Sequence, residues 1–123
     1  MYIRGKVVSG LGVGKDLGYR TANLEYNDSK VIPSGVYAAK TEVVGVNVYQ
    51  SVAVVGAREF QDKPLVEIFI FDFGKDLYGK ELSVELLDKV SEIEQFKDTE
   101  ALLKKIKQDI LKVKEYFRLC LPE

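Results

Sequence analysis

Leu65-Val66-Glu67-Ile68-Phe69-Ile70-Phe71-Asp72-Phe73 is the densest run of strand-forming residues in the chain. Side chains of a strand alternate between two faces. Val66, Ile68 and Ile70 therefore share one face, wholly aliphatic and fit to point into a core. Glu67, Phe69, Phe71 and Phe73 share the other. That face sets a carboxylate among three rings, and the rings need cover from a helix or from a ligand.

Outward from this strand, the pattern stays β for most of the chain. Gly74 to Gly79 makes a turn, and Lys80 to Leu87 reads as a last strand. Upstream, a Pro33-Ser34-Gly35 turn opens a strand over Gly35 to Val44. Gly45-Val46-Asn47 then breaks the chain before Val48 to Val55 resumes it, a hairpin pattern. Ile3 to Ser9 is short, β-branched and runs into a glycine-rich segment. From Asp98 the period changes. Leu102, Leu103, Ile106, Ile110, Val113 and Phe117 recur at spacings of three and four, which predicts an amphipathic helix over about 98–118, with Asp98 or Thr99 as its N-cap. Five or six consecutive strands with tight turns and one terminal helix predict an antiparallel sheet that curls into a small closed barrel. The helix then packs on the outside or across one end. A length of 123 residues predicts a single domain, 1–123, with the barrel over about 1–90.

Composition narrows the chemistry. Hydrophobic residues make up 46% of the chain, enough for a real core, and 18 Lys plus Arg nearly balance 19 Asp plus Glu. No broad basic field offers itself to nucleic acid, and no apolar run approaches the ~20 residues of a membrane-spanning helix. There is no histidine, which excludes histidine general acid/base catalysis, Ser-His and Cys-His pairs and histidine metal sites. The single cysteine, Cys120, allows no internal disulfide and suits a reducing, cytoplasmic setting. The first residues read as a strand and not as a signal peptide.

Two features could carry chemistry. The first is Gly10-Leu-Gly12-Val-Gly14-Lys15-Asp-Leu-Gly18-Tyr-Arg20-Thr21-Ala-Asn23, with four glycines in nine residues. Such a backbone can turn its N–H groups toward an anion, and Thr21 and Asn23 add a hydroxyl and an amide close by. The segment is not a Walker A motif, since Asp16 follows Gly14-Lys15 and no helix pattern follows; nor does a βαβ pattern make it a Rossmann fingerprint. Taken alone, glycines between strands read more often as a turn than as a phosphate cradle. The second is Glu67, which is either an ordinary outward strand residue or a general base able to accept a hydroxyl proton. Asp76-Leu77-Tyr78-Gly79 alone reads as a turn.

The order of motifs is more specific than any one of them. Gly5-Lys-Val-Val, the glycine segment, Leu17-Gly18, Thr21-Ala-Asn23-Leu, Gly35-Val-Tyr37, Val66-Glu67-Ile, Asp72-Phe73, Leu77-Tyr78-Gly79-Lys80, and then Phe96 ahead of a helix with Ile106 and Asp109, together resemble the riboflavin kinase (flavokinase) family from about Ile3 to about Phe117. In bacteria this module usually forms the C-terminal half of a bifunctional riboflavin kinase/FAD synthetase.

The resemblance implies a six-stranded antiparallel Greek-key barrel with a C-terminal helix. It implies transfer of the ATP γ-phosphate to the 5′-hydroxyl of riboflavin, giving FMN and ADP, with Mg²⁺. By the same resemblance Gly10, Gly12, Gly14, Lys15 and Gly18 cover the nucleotide phosphates. Thr21 and Asn23 bind phosphate and Mg²⁺, and Glu67 is the catalytic base. The partners implied are these small molecules, with no nucleic acid and no membrane, and the chain is expected to be a monomer without FAD synthesis.

The chain departs from the family pattern in four places. Arg20 replaces the proline of Pro-Thr-Ala-Asn. Val13 and Lys15 stand where the glycine loop usually carries arginines. Gly56-Ala-Arg58-Glu-Phe60 replaces an Asn-Pro or Pro-Thr element in an expected ligand loop, and Val90-Ser91-Glu92-Ile93 replaces Leu-Arg-x-Glu. The departures keep two alternatives in view: a relative that binds flavin or nucleotide as a sensor without catalysis, and a barrel used for protein interaction through its helix and the acidic stretch from Asp88 to Glu94.

Overall fold

The computed structural model describes residues 1–9, 20–26, 32–60, 63–71 and 77–119. These form six strands and one helix: β1 (Tyr2–Ser9), β2 (Arg20–Tyr26), β3 (Gly35–Val43), β4 (Asn47–Phe60), β5 (Lys63–Ile70), β6 (Glu81–Ser91) and α1 (Thr99–Leu119). The strands pair antiparallel in the order β1-β2-β5-β4-β3-β6, and β6 returns to β1 to close the barrel. Closure leaves no exposed sheet edge. The step from β2 across to β5 is the Greek-key crossing expected of the fold.

β5 explains why the chain has two cores. Val66, Ile68 and Ile70 are at most 1% exposed and face the barrel interior with Ile3, Val7, Leu24, Leu82 and Val84. Phe69 and Phe71, on the opposite face, are covered by Ile110, Val113 and Phe117 of α1. The cover demanded by the rings thus comes from the helix. Helix α1 starts where the backbone N–H of Ala101 donates to Asp98 Oδ1 at 2.8 Å, so Asp98 is the N-cap.

Several boundaries differ from the sequence reading, each for a local reason. β2 is not among the runs picked out by β-branched density, because its alternation is carried by Ala22, Leu24 and Tyr26 against polar neighbours. Gly56–Phe60 is not a loop: β4 continues through it, and the pairing with β5 shifts between Val55 and Glu59. Gly56 has φ 86°, a backbone state that suits glycine and accommodates the irregularity. β6 runs on to Ser91 and slips register twice against β3, so that Leu87 and Val90 pack toward the helix side. Phe73 and the Gly74–Asp76 part of the expected turn lie outside the described residues.

Polar groups inside the barrel are satisfied. The Ser51 hydroxyl donates to the Ala39 carbonyl at 3.1 Å, and the buried Thr41 hydroxyl lies 2.7 Å from Ser51 Oγ, which remains able to accept from it. At the closing seam Arg4 of β1 makes two bonds to the carboxylate of Glu81 on β6, at 3.1 and 3.0 Å. These bonds hold the Glu81 carboxyl below its usual range. Across β1 and β2, a methyl at Gly5 would meet the Glu25 carbonyl oxygen at 2.5 Å, so the two strands approach closely only because glycine stands there.

Ile110, 3% exposed between helix and barrel, tests the second core. Ile110→Ala is expected to cost about 2–5 kcal/mol through lost burial and the cavity left behind. Urea unfolding monitored by circular dichroism reads this directly, and an unchanged midpoint would show that the helix contributes little to the stability of the barrel.

Candidate active site

The register of the barrel lines up a row of residues on its outer surface. Asn23 of β2 is opposite Glu67 of β5; Glu67 is opposite Val54 of β4; Val54 is opposite Val36 of β3; Val36 is opposite Ser91 of β6. The row is polar at both ends and aliphatic in the middle. Three strand spacings of ~4.8 Å separate the backbones of Glu67 and Ser91, a span of about 14 Å.

A pocket of about 290 Å³ lies over this row. Its floor is Val36, Val54, Ala57, Glu67 and Phe69 of the sheet. Its roof is the segment Glu92–Phe96 together with Leu102, Lys105, Ile106 and Asp109 of the helix. Glu67 is only 6% exposed and is among the residues that line the pocket.

The far end of the pocket holds a second polar group. Lys105 Nζ is 2.5 Å from Asp109 Oδ2 and 2.5 Å from Ser91 Oγ. The two side chains of the ion pair are 13% and 7% exposed. Asp109 Oδ1 is buried and has no hydrogen-bond partner among the described residues. Lys105 and Asp109 stand one helical turn apart, which brings their side chains together. Asp109 sits three residues after Ile106 and four before Val113, on the apolar stripe that docks the helix.

Of the residues singled out from sequence, the structure brings Glu67 and Asn23 together as cross-strand neighbours. Thr21 is two positions before Asn23 on β2, with its backbone opposite Phe69; Arg20 precedes it opposite Ile70. Arg58 lies in the extension of β4. Gly10, Gly12, Gly14, Lys15 and Gly18 lie outside the described residues. Ser91, a departure from the family pattern, is where the Lys105 ammonium rests. Lys105 did not emerge from the sequence reading. Its signal was a Lys and an Asp four residues apart, the Asp within the apolar stripe of the last helix.

No group of three or more His, Cys, Asp or Glu able to hold a metal occurs among the described residues. A metal caged wholly by protein is therefore not built there. Asn23 beside Glu67 suits a different arrangement, in which a hard cation takes one or two protein oxygens and otherwise phosphate and water. No helix among the described residues is long and apolar enough to cross a membrane.

A small closed antiparallel barrel with a helix-roofed outer pocket and a buried carboxylate defines the class. The family model of riboflavin kinase (Flavokinase) matches residues 1–117. The chain is 33% identical, over 94% of its length, to a bifunctional riboflavin kinase/FMN adenylyltransferase of Bacillus subtilis, of which it spans 38%. It is 35% identical over 95% of its length to an RNA-binding riboflavin kinase of the same organism, of which it spans 51%. The crystal structure of riboflavin kinase from Trypanosoma brucei superposes with a TM-score of 0.63 at 23% identity, over 95% of this chain and 79% of that one, a likeness of fold. The chain belongs to the riboflavin kinase family.

Removing one member of the buried ion pair is costly, since the other is left without a counter-charge. Lys105→Met is expected to destabilise the protein by about 3–5 kcal/mol, and Lys105→Met/Asp109→Leu to recover most of that loss. Chemical denaturation of the two variants measures this. A single variant as stable as the wild type would mean that the pair is not buried in solution.

Proposed function

We propose that this chain phosphorylates riboflavin, transferring the γ-phosphate of ATP to the 5′-hydroxyl to give FMN and ADP. The observation that carries the reading is the buried Glu67, opposite Asn23 on the neighbouring strand and lining a pocket of about 290 Å³. Family membership supports a flavin-phosphorylating reaction in general. The near-even charge, 18 basic against 19 acidic residues, favours small-molecule partners over RNA.

In this reading the ring lies between Val36, Val54 and Phe69 below and Ile106 and Phe96 above. The ribityl chain runs along the row toward β5 and β2. Glu67 accepts the proton of the 5′-hydroxyl as its oxygen bonds to the γ-phosphorus and the bond to the bridging oxygen of ADP breaks. Pocket walls that exclude water protect this transfer against hydrolysis of the nucleotide. Asn23 and Thr21 are the residues that would hold Mg²⁺. When bound, the cation supplies neutralisation of charge on the phosphates. The glycine segment Gly10 to Gly18, with Lys15, is the proposed phosphate cover.

A second reading, flavin binding without turnover, is favoured by Arg20 in place of proline directly before Thr21. Proline would fix φ on the approach to the threonine, and arginine does not.

The test is FMN formation from riboflavin, ATP and MgCl₂, followed by chromatography. Wild type is expected to turn over. Glu67→Gln is expected to lose about 10²–10⁴-fold in kcat while remaining folded, and EDTA is expected to abolish the reaction. Quenching of riboflavin fluorescence without FMN would select the second reading.

A further inference from the structure

The charges that line the pocket are unevenly matched. Among the described residues four carboxylates line it, Glu67 from the floor and Glu92, Glu94 and Asp109 from the roof, against one ammonium, Lys105. That ammonium is committed to Asp109, its ion-pair partner at 2.5 Å, so the two together add little net charge. Glu67, Glu92 and Glu94 are left. Lys89 lies 2.7 Å from Glu92 and offsets part of the surplus, but the Glu92 side chain is 73% exposed, so this contact is weak and screened. Glu94 has no paired cation among the described residues. With 18 basic and 19 acidic residues in the chain, composition does not impose a local surplus of this kind.

The surplus matters because the proposed reaction changes the charge of the molecule in the pocket. Riboflavin is neutral. Its product carries a phosphate monoester, with close to two negative charges at neutral pH. A flavin held in one place before and after transfer therefore meets an unfavourable field only afterwards. We propose that Glu92 and Glu94 act as an electrostatic filter in the roof, which admits the neutral flavin and weakens the hold on its phosphorylated form. Glu67 is unsuited to that task, because it takes up the hydroxyl proton and loses its charge as the phosphoryl group arrives. Glu92 and Glu94 play no part in the proton transfer, so they meet the product as anions. Two effects follow from one charge surplus: FMN is released more readily, and flavins that already carry phosphate compete poorly for the pocket. This inference rests on the flavokinase reading and deepens it, assigning the roof a preference for neutral over anionic flavins. Shape alone does not supply that preference, since riboflavin and FMN share the same ring.

The test measures Kd for riboflavin and for FMN by quenching of flavin fluorescence, without nucleotide or metal, on wild type and on Glu92→Gln/Glu94→Gln. The readout is the ratio of Kd for FMN to Kd for riboflavin. A change in the packing of the roof moves both constants alike and leaves the ratio in place. At low salt the double variant is expected to lower the ratio about 3- to 10-fold, and at about 0.5 M salt by less than about 2-fold, as screening takes over. Wild type gives a second answer that does not depend on the variant folding: its own ratio is expected to fall as salt is raised. A wild-type ratio that stays constant or rises with salt overturns the filter, as does a double variant with the wild-type ratio. FMN formation from riboflavin and ATP, assayed on the same wild-type preparation, keeps the two readings apart. Turnover with an unfiltered ratio leaves the kinase reading standing alone. Wild type that neither binds nor phosphorylates riboflavin overturns the kinase reading, and the filter with it.

Discussion

The docking of α1 on the outer face of β3, β4 and β6, where it also covers Phe69 of β5, is the contact on which the site depends. A six-stranded barrel of this size fills its own interior with Val66, Ile68, Ile70 and their neighbours, leaving no room inside for a ligand. Phe69, Phe71, Val36 and Val52 would then face water. Ile110, Val113 and Phe117 bury them. Farther along the helix, toward its N-terminus, Leu102, Lys105, Ile106 and Asp109 line the pocket. The same apolar demand therefore makes a core at one end of the helix and a binding chamber at the other.

Placing chemistry on the outside of a closed barrel has a mechanical consequence. The floor of the pocket is a hydrogen-bonded ladder whose register is fixed on both sides, because every strand has two neighbours. Asn23, Glu67, Val54, Val36 and Ser91 keep their spacing without help from loops. The roof is less constrained, resting on one helix and the segment from Glu92 to Phe96. A rigid floor with an adjustable roof suits a flat substrate that must be held while its side chain is presented to a nucleotide.

Much of the fold was legible because its strongest signals are local. Leu65–Phe73 announces a strand with two apolar faces, and Leu102 to Phe117 announces a helix with one. Those two statements already imply a helix packed against the outside of a sheet. β2 was harder, since Ala22 and Leu24 contribute alternation without β-branched bulk. The extension of β4 was hidden by Gly56, which looks like a loop residue until its positive φ is set inside a strand irregularity. The site was legible in part: Glu67 stood out as a carboxylate among rings, and motif order drew attention to Asn23. Lys105 was invisible because helical lysines are ordinarily solvated, and its partner Ser91 lies on another element, fourteen residues back. Only the register that brings the end of β6 under the helix makes them neighbours.

The Lys105–Asp109–Ser91 cluster then poses an energetic question. A buried ion pair rarely outperforms well-packed apolar residues, because desolvation offsets most of the attraction. Leu or Met at these two helix positions would continue the apolar stripe and cover Val36 and Val90 without any unpaired oxygen. Stability alone gives no reason for the charges. The chain nevertheless keeps an ion pair in the seam between helix and barrel, with one buried acceptor lacking a partner among the described residues. The pocket beside it also presents Glu67, Glu92, Glu94 and Gln95, so the pair belongs to a polar lining and is not an isolated defect of the core.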